Sequence, residues 1–242
     1  MKIDKVLFTI DDNPHYKGFW KSISKHFKTR LGMDSKLFVI GDENTDMSAY
    51  STQHGETELT MKIDGIPTII QALLGKFYFT LSEPDTVWMV GDLDLYPLQK
   101  SYFVDTIKDI SDEMYVHLNS WAYGQQWREK VNGLAGYYHV AKGSTFKEEL
   151  NITSPEDFCN AVYKTEKYGI KFIGVTENRA NREASKNDHG WFCCEEMYTG
   201  ELLRDCKKLV EINPRLPFEL GVRQMTVRDL RVDRSDMKWD QE

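Results

Sequence analysis

Short apolar runs alternate with amphipathic stretches along the first half of the chain, a rhythm that predicts strand followed by helix. Residues 5–10 (KVLFTI) form a β-rich apolar run that the polar break DDNPHY closes. Pro14 suits a first helical turn, and Tyr16, Phe19, Trp20, Ile23 and Phe27 then recur at helical spacing. KLFVIG at 36–41 predicts a second buried strand ending at Gly41, and the polar stretch DENTDMSAYSTQHGETE after it predicts a mobile surface loop. Gly65-Ile66-Pro67-Thr68 marks a helix start, with Ile69, Leu73 and Phe77 expected on one face. Residues 86–90 (TVWMV) carry no charge, as befits a central strand covered on both faces, and they run into GDLDLYPL.

The second half is less regular. MYVHLNSW (114–121) and GLAGYYHVAKG (133–143) read as strands. SPEDFCNAVYKTEKYG (154–169) reads as a helix ended by Gly169, with Ser154 as N-cap and Asp157 three places on. A further helix is expected over 191–206, and a strand with a loose end in the tail from Pro214. No internal repeat or low-complexity segment interrupts this order. The expected fold is therefore α/β, a mostly parallel central sheet flanked by helices.

Composition narrows the class. A chain of 242 residues with 40% hydrophobic and 12% aromatic content can bury a substantial core in one large domain or two small ones. The formal net charge of −7, with no dense block of Lys and Arg, argues against duplex nucleic acid as a partner. None of the four cysteines stands in a CxxC spacing, so reduced buried thiols are expected rather than a zinc or redox site. The N-terminal run lacks signal-peptide character, and no run approaches the ~18 apolar residues of a membrane span, so a cytoplasmic protein is expected.

The sharpest chemical feature is Asp92-Leu93-Asp94 after the TVWMVG run. Ligands of open α/β sheets bind outside the carboxyl ends of strands. Two carboxylates one residue apart on an extended chain point the same way, and a bound Mg²⁺ or Mn²⁺ relieves their repulsion. Such an ion keeps positions open for phosphate oxygens. A bare D-x-D also arises by chance in acidic proteins, and it is the preceding strand and following Tyr-Pro turn that give this one weight.

With VLFTIDDNPHYKGFW, VWMVGDLDLYPL and LAGYYHVAKGSTF in this order across residues 5–146, and a looser match over 191–206, the chain resembles the metal-dependent glycosyltransferases of the glycosyltransferase-A fold. The resemblance implies a single domain over 1–242, with a nucleotide-binding half (1–97) joined without a clear linker to an acceptor-binding half (98–242). It implies a nucleotide-sugar donor, a glycan or other hydroxyl acceptor, and Mn²⁺ or Mg²⁺ at the motif. Asp92 would then lie near ribose and metal, and Asp94 would be the principal metal ligand. Thr9, Asp11, Asn13 and Tyr16 would hold the nucleoside: Asp and Asn can read a base edge or ribose hydroxyl, and Tyr can stack on a base. Asp11 or Asn13 equally suits an ordinary helix N-cap.

The family often carries a third metal ligand, commonly a His, near its C-terminus, whereas no His follows His189 here. Asp233 and Asp236 in RVDRSD stand in that region, with Arg231 and Arg234 able to fork onto a diphosphate. On the acceptor side, Gly136 permits close approach, His139 can bind a hydroxyl, and Trp121, Tyr123 and Trp127 can stack on sugar faces, although aromatics more often fill cores. Glu195 and Glu196 fall where inverting members place a catalytic base, a position that helix dipoles also favour for Glu.

Other readings share parts of this pattern. A metal-dependent nucleotidyltransferase binds the same nucleotide and metal, but FTIDDNPHY lacks the glycine-rich phosphate loop. In the aspartyl phosphatases of the haloacid dehalogenase type, a D-x-D lies at the first strand and Thr or Val stands where Tyr96 is found here. A catalytically inactive module that binds a sugar-nucleotide or a glycan would carry the same pocket without turnover. Oligomeric state has no signature in the sequence.

Overall fold

The computed structural model describes residues 1–12, 14–118, 133–164, 193–212 and 229–231. Seven strands form one sheet in the order β3-β2-β1-β4-β7-β6-β8. These are β1 (Lys5–Asp11), β2 (Asp34–Gly41), β3 (Glu56–Met61), β4 (Val87–Val90), β6 (Tyr115–His117), β7 (His139–Lys142) and β8 (Leu209–Glu211). Pairings within β3-β2-β1-β4 are parallel, as is β6 with β8, and β7 runs against both of its neighbours. A second, two-stranded sheet joins β5 (Leu95–Pro97) to β9 (Asp229–Arg231) in antiparallel register.

Helix placement follows from chain direction. A short α1 (Pro14–Lys17) and α2 (Phe19–His26) link β1 to β2, while α3 (Thr68–Tyr78) carries the chain from β3 back past β2 and β1 to β4. Crossovers between parallel strands are right-handed, so reversing the direction of travel moves the helix to the other face. Alternate residues of each strand accordingly enter different cores. Val6, Phe8 and Ile10 meet Trp20, Ile23 and Phe27 on one side. Leu7, Trp88 and Val90 meet Ile70, Leu74 and Phe77 on the other. The remaining helices are α4 (Lys100–Val104), α5 (Gly143–Glu149), α6 (Pro155–Tyr163) and α7 (Cys193–Leu202), and residues of the last three regions join the core beneath α3.

Most predicted elements are present, with several corrections. The stretch after Gly41 is not a mobile loop throughout: Met47–Tyr50 form a 3-10 turn whose Tyr50 is fully buried, and Glu56 opens β3. That edge strand (ETELTM) alternates without a strong apolar face, which is why composition alone reads as loop. The buried face of α3 is set by Ile70, Leu74 and Phe77 rather than Ile69, Leu73 and Phe77. The strand expected over 133–143 is confined to His139–Lys142, because the buried segment before it turns through a left-handed Tyr138 (φ 62°). Ser154 caps α6 as predicted, its Oγ accepting from the Asp157 N–H at 3.0 Å, but that helix ends at Tyr163 and Gly169 lies outside the described residues. Among the described residues no helix is long and apolar enough to cross a membrane.

Candidate functional site

β1 and β4 lie side by side, yet the chain leaves β1 toward β2 and arrives at β4 from α3. Connections therefore diverge between the carboxyl ends of these two strands, and such a crevice is where open α/β sheets hold their ligands. Gly91 continues the pairing there by donating to the Leu7 carbonyl at 3.0 Å. A Cβ on Gly91 would stand 2.8 Å from Cε1 of buried Phe8, so the close approach of the two strands requires glycine.

The Asp-Leu-Asp motif follows at once, but not on extended chain. The Leu95 N–H donates to the Asp92 carbonyl at 3.1 Å and closes a tight turn. The turn, not the pleat of a strand, therefore sets the directions of the two aspartates. Leu93 and Leu95 anchor the turn in the core, and Asp94 is buried with 3% exposure. Asp92 Oδ1 accepts from Lys76 Nζ at 2.7 Å, the lysine side chain being 4% exposed and the carboxylate 23%. A lysine inside an apolar helix face is costly unless its charge is paired, and Asp92 meets that need.

Lys76 belongs to a polar line along α3. Thr68, Ala72 and Lys76 are spaced four apart, so they share one helix face. Thr68 Oγ1 donates to Asp11 Oδ2 at 3.2 Å, the Ala72 carbonyl accepts from Thr9 Oγ1 at 2.5 Å, and Lys76 holds Asp92. Both expected nucleoside residues on β1 and the first motif aspartate therefore face a single helix. A cleft of about 560 Å³ opens beside Asp11 and Thr68, with Asp12, Gly41, Asp42 and Lys62 also on its walls. Lys62 and the Asn44 N–H hold the Asp42 carboxyl below its usual range. Asp12 accepts from Tyr50 Oη at 3.0 Å and pairs with Lys17 at 2.7 Å, while burial and then Asp12 raise the Tyr50 phenol.

Across β4, the segment 135–138 runs along the motif, with the Tyr138 N–H donating to the Val90 carbonyl at 2.7 Å. Gly136 is buried within it. His139 is also fully buried, its Nε2 2.7 Å from the Ala135 carbonyl and its Nδ1 2.9 Å from Tyr115 Oη. His117 Nε2 meets the same carbonyl at 2.9 Å. A carbonyl only accepts, so both Nε2 atoms carry protons, and Tyr115 donates to the Nδ1 lone pair of His139. Burial, then His117 and nearby Lys76, push His139 well below the usual histidine range despite the opposing bond to Ala135. This neutral ring is a core group that fixes the 135–138 segment, rather than an accessible contact for an acceptor hydroxyl. Tyr16 likewise packs its ring edge-on against Phe19.

Glu195 and Glu196 occupy the first turn of α7, whose later residues Tyr198 and Leu202 pack on the α3 side of the sheet. Asn13, Trp121, Tyr123, Trp127, Asp233, Arg234 and Asp236 lie outside the described residues, as do the side chains of Glu195, Glu196 and Arg231. The backbone of β9 does reach the site: Arg231 is paired with Leu95, next to Asp94. Lys76, Thr68 and Asp12 were not singled out from the sequence. The signal for Lys76 was a charge inside the apolar run IIQALLGKFYF, and for Thr68 its place after Pro67 at the helix start.

No family model matches the chain, and no curated protein matches it. Solved structures do. The chain is similar to the glycosyltransferase GlyE of Streptococcus pneumoniae TIGR4 at 11% identity and a TM-score of 0.48, over 91% of this chain and 48% of that one. It is also similar to a galactosyltransferase, LgtC, in complex with donor and acceptor sugar analogues, at 10% identity and a TM-score of 0.46, over 86% of this chain and 73% of that one. The chain thus spans about half the length of the GlyE chain.

Proposed function

We propose that the protein is a metal-dependent glycosyltransferase that moves a sugar from a nucleotide-diphosphate-sugar to an acceptor hydroxyl. The observation that carries this reading is the Asp92–Leu95 turn at the β1/β4 crevice, its Asp92 held by Lys76 on the same α3 face whose Thr68 joins Asp11 at a cleft on the β1–β2 side. Among the described residues no three His, Cys, Asp or Glu side chains gather around one point. Two carboxylates on a tight turn still fit Mg²⁺ or Mn²⁺, which commonly take one or two protein carboxylates and complete their shell with water and substrate phosphates. Asp92 and Asp94 would hold the ion, and Asp233 is a further ligand proposed on the resemblance. The ion, when bound, supplies positive charge against the departing diphosphate.

The protein's own groups do the rest. Lys76 orients Asp92 and keeps a cation beside it. Asp11, Thr9 and Thr68 offer hydrogen-bonding atoms to the nucleoside side of the crevice. In the transfer, the acceptor oxygen bonds to the anomeric carbon as the bond from that carbon to the diphosphate oxygen breaks. The acceptor proton passes to a carboxylate, for which Glu195 and Glu196 are proposed, and the nucleoside diphosphate departs.

A screen of nucleotide-sugars by thermal shift with and without Mn²⁺, followed by product analysis, tests the proposal. Transfer or slow hydrolysis releases a nucleoside diphosphate, whereas nucleotidyl transfer releases pyrophosphate and a binding module releases nothing. Asp94→Ala is expected to lower metal-dependent turnover by more than roughly 100-fold. Retained turnover in that variant would remove the central claim.

A further inference from the structure

We propose that the outward face of α2, together with the adjoining β5–α4 corner, docks the protein on an anionic lipid surface. Residues 13–33 hold five of the chain's 31 Lys and Arg and none of its 38 Asp and Glu, in a protein of net charge −7. The cations are interleaved with apolar residues, so no block of them stands out along the sequence, but helical geometry collects them. Lys21 and Lys25 on α2, and Lys28 on the π-helical turn Phe27–Leu31 that continues it, stand away from buried Trp20, Ile23 and Phe27, and all three are exposed, as is Arg30.

Apolar side chains border this basic surface. Leu98, Val104 and Met61 are the exposed large hydrophobics among the described residues, and the first two lie in the β5–α4 corner at 50% and 36% exposure. That corner is fastened to α2: His26 Nε2 bonds the Pro97 carbonyl, Ser22 Oγ bonds Tyr96 Oη, and Lys100 Nζ lies against Gly32. Acidic groups stand at the edge of the basic surface: Asp12 pairs with Lys17 at 2.7 Å, Asp34 pairs with Lys28 at 2.5 Å, and Asp105 follows Val104, leaving Lys21 and Lys25 as the core of the surface. Cations flanking exposed Leu and Val are what a bilayer interface selects, because the lysine stems lie along apolar surface while their heads reach lipid phosphates. A soluble polyanion would use the cations alone.

Flotation of the full chain with vesicles tests this without any transferase assay, and donor binding measured in parallel keeps its outcome separate from that of the proposed activity. The chain should float with equal parts phosphatidylcholine and phosphatidylglycerol, stay behind with phosphatidylcholine alone, and lose binding as salt rises. K21E/K25E/K28E should lower the bound fraction by roughly tenfold or more, and L98S/V104S by several-fold. Unchanged melting temperatures show that the variants fold, and K25E alone serves if the triple variant does not. Absence of flotation with the anionic vesicles overturns the proposal. So does binding that ignores both sets of substitutions, or loss with K21E/K25E/K28E but none with L98S/V104S, the pattern of a soluble polyanion site.

Discussion

A buried lysine and a partly buried aspartate define the charge balance at the motif. Removing Lys76 alone leaves Asp92 as an under-compensated carboxylate, so Lys76→Met should destabilise the fold by about 1–3 kcal/mol, less than for a fully buried pair because Asp92 keeps some solvent. Adding Asp92→Asn should recover part of that loss, and a double-mutant cycle in urea measures it; strict additivity would mean that the pair does not interact. His139 makes a second residue-scale prediction. Its folded pKa is depressed below 6.5, so at mildly acid pH the unfolded chain binds a proton that the native protein refuses. The associated stability is complete above about pH 6.5 and is lost as pH falls toward the folded value, with a slope of up to about 1.4 kcal/mol per pH unit. Urea unfolding between pH 7.5 and 5 should show this acid limb, and His139→Gln should flatten it. Neither role was legible in the sequence. A lysine in an apolar helical run reads as an interruption until its partner sixteen places on is brought beside it, and a histidine in GYYHV reads as polar chemistry until three dimensions enclose it.

Elements were more legible than contacts, because burial on two faces leaves a strong local mark. TVWMV suits a strand covered on both faces, and Val87–Val90 are buried throughout. The edge strand ETELTM left no such mark, since half of its surface meets water and its pairing with β2 is non-local. The motif was found by composition, yet its conformation was misread: a hydrogen bond from residue 95 to residue 92 turns the chain where an extended run was expected. Close packing at the start of that turn gives a prediction. Gly91→Ala forces a methyl against Phe8, which is fully buried and has little room to yield. The cost should be about 1–3 kcal/mol in urea unfolding, together with weakened metal-dependent donor binding as the turn shifts. Wild-type stability and binding in this variant would show that the β1–β4 approach does not set the motif's position.

At the level of the whole molecule, one sheet serves both halves of the chain, since β4 of the first half pairs with β7 of the second. The motif lies close to that seam, flanked by α3, by the 135–138 segment and by a tail strand from the far end of the sequence. The tail strand belongs to the small two-stranded sheet. β9 pairs with β5 through three residues, and its Arg231 stands opposite Leu95, the residue after Asp94. Cross-strand pairs contribute about 0.2–1 kcal/mol each, so deleting residues 229–242 should cost less than about 3 kcal/mol and leave the seven-stranded sheet folded. The same deletion removes backbone that abuts the motif, together with Asp233, proposed as a further metal ligand, and Arg234, expected to fork onto the diphosphate. Donor affinity in the presence of Mn²⁺ should therefore fall by roughly tenfold or more while circular dichroism and the main melting transition persist. Isothermal titration of the shortened chain with the donor found by screening makes the comparison. An unchanged affinity would confine the donor site to the β1, α3 and β4 elements and leave the tail strand only a packing role.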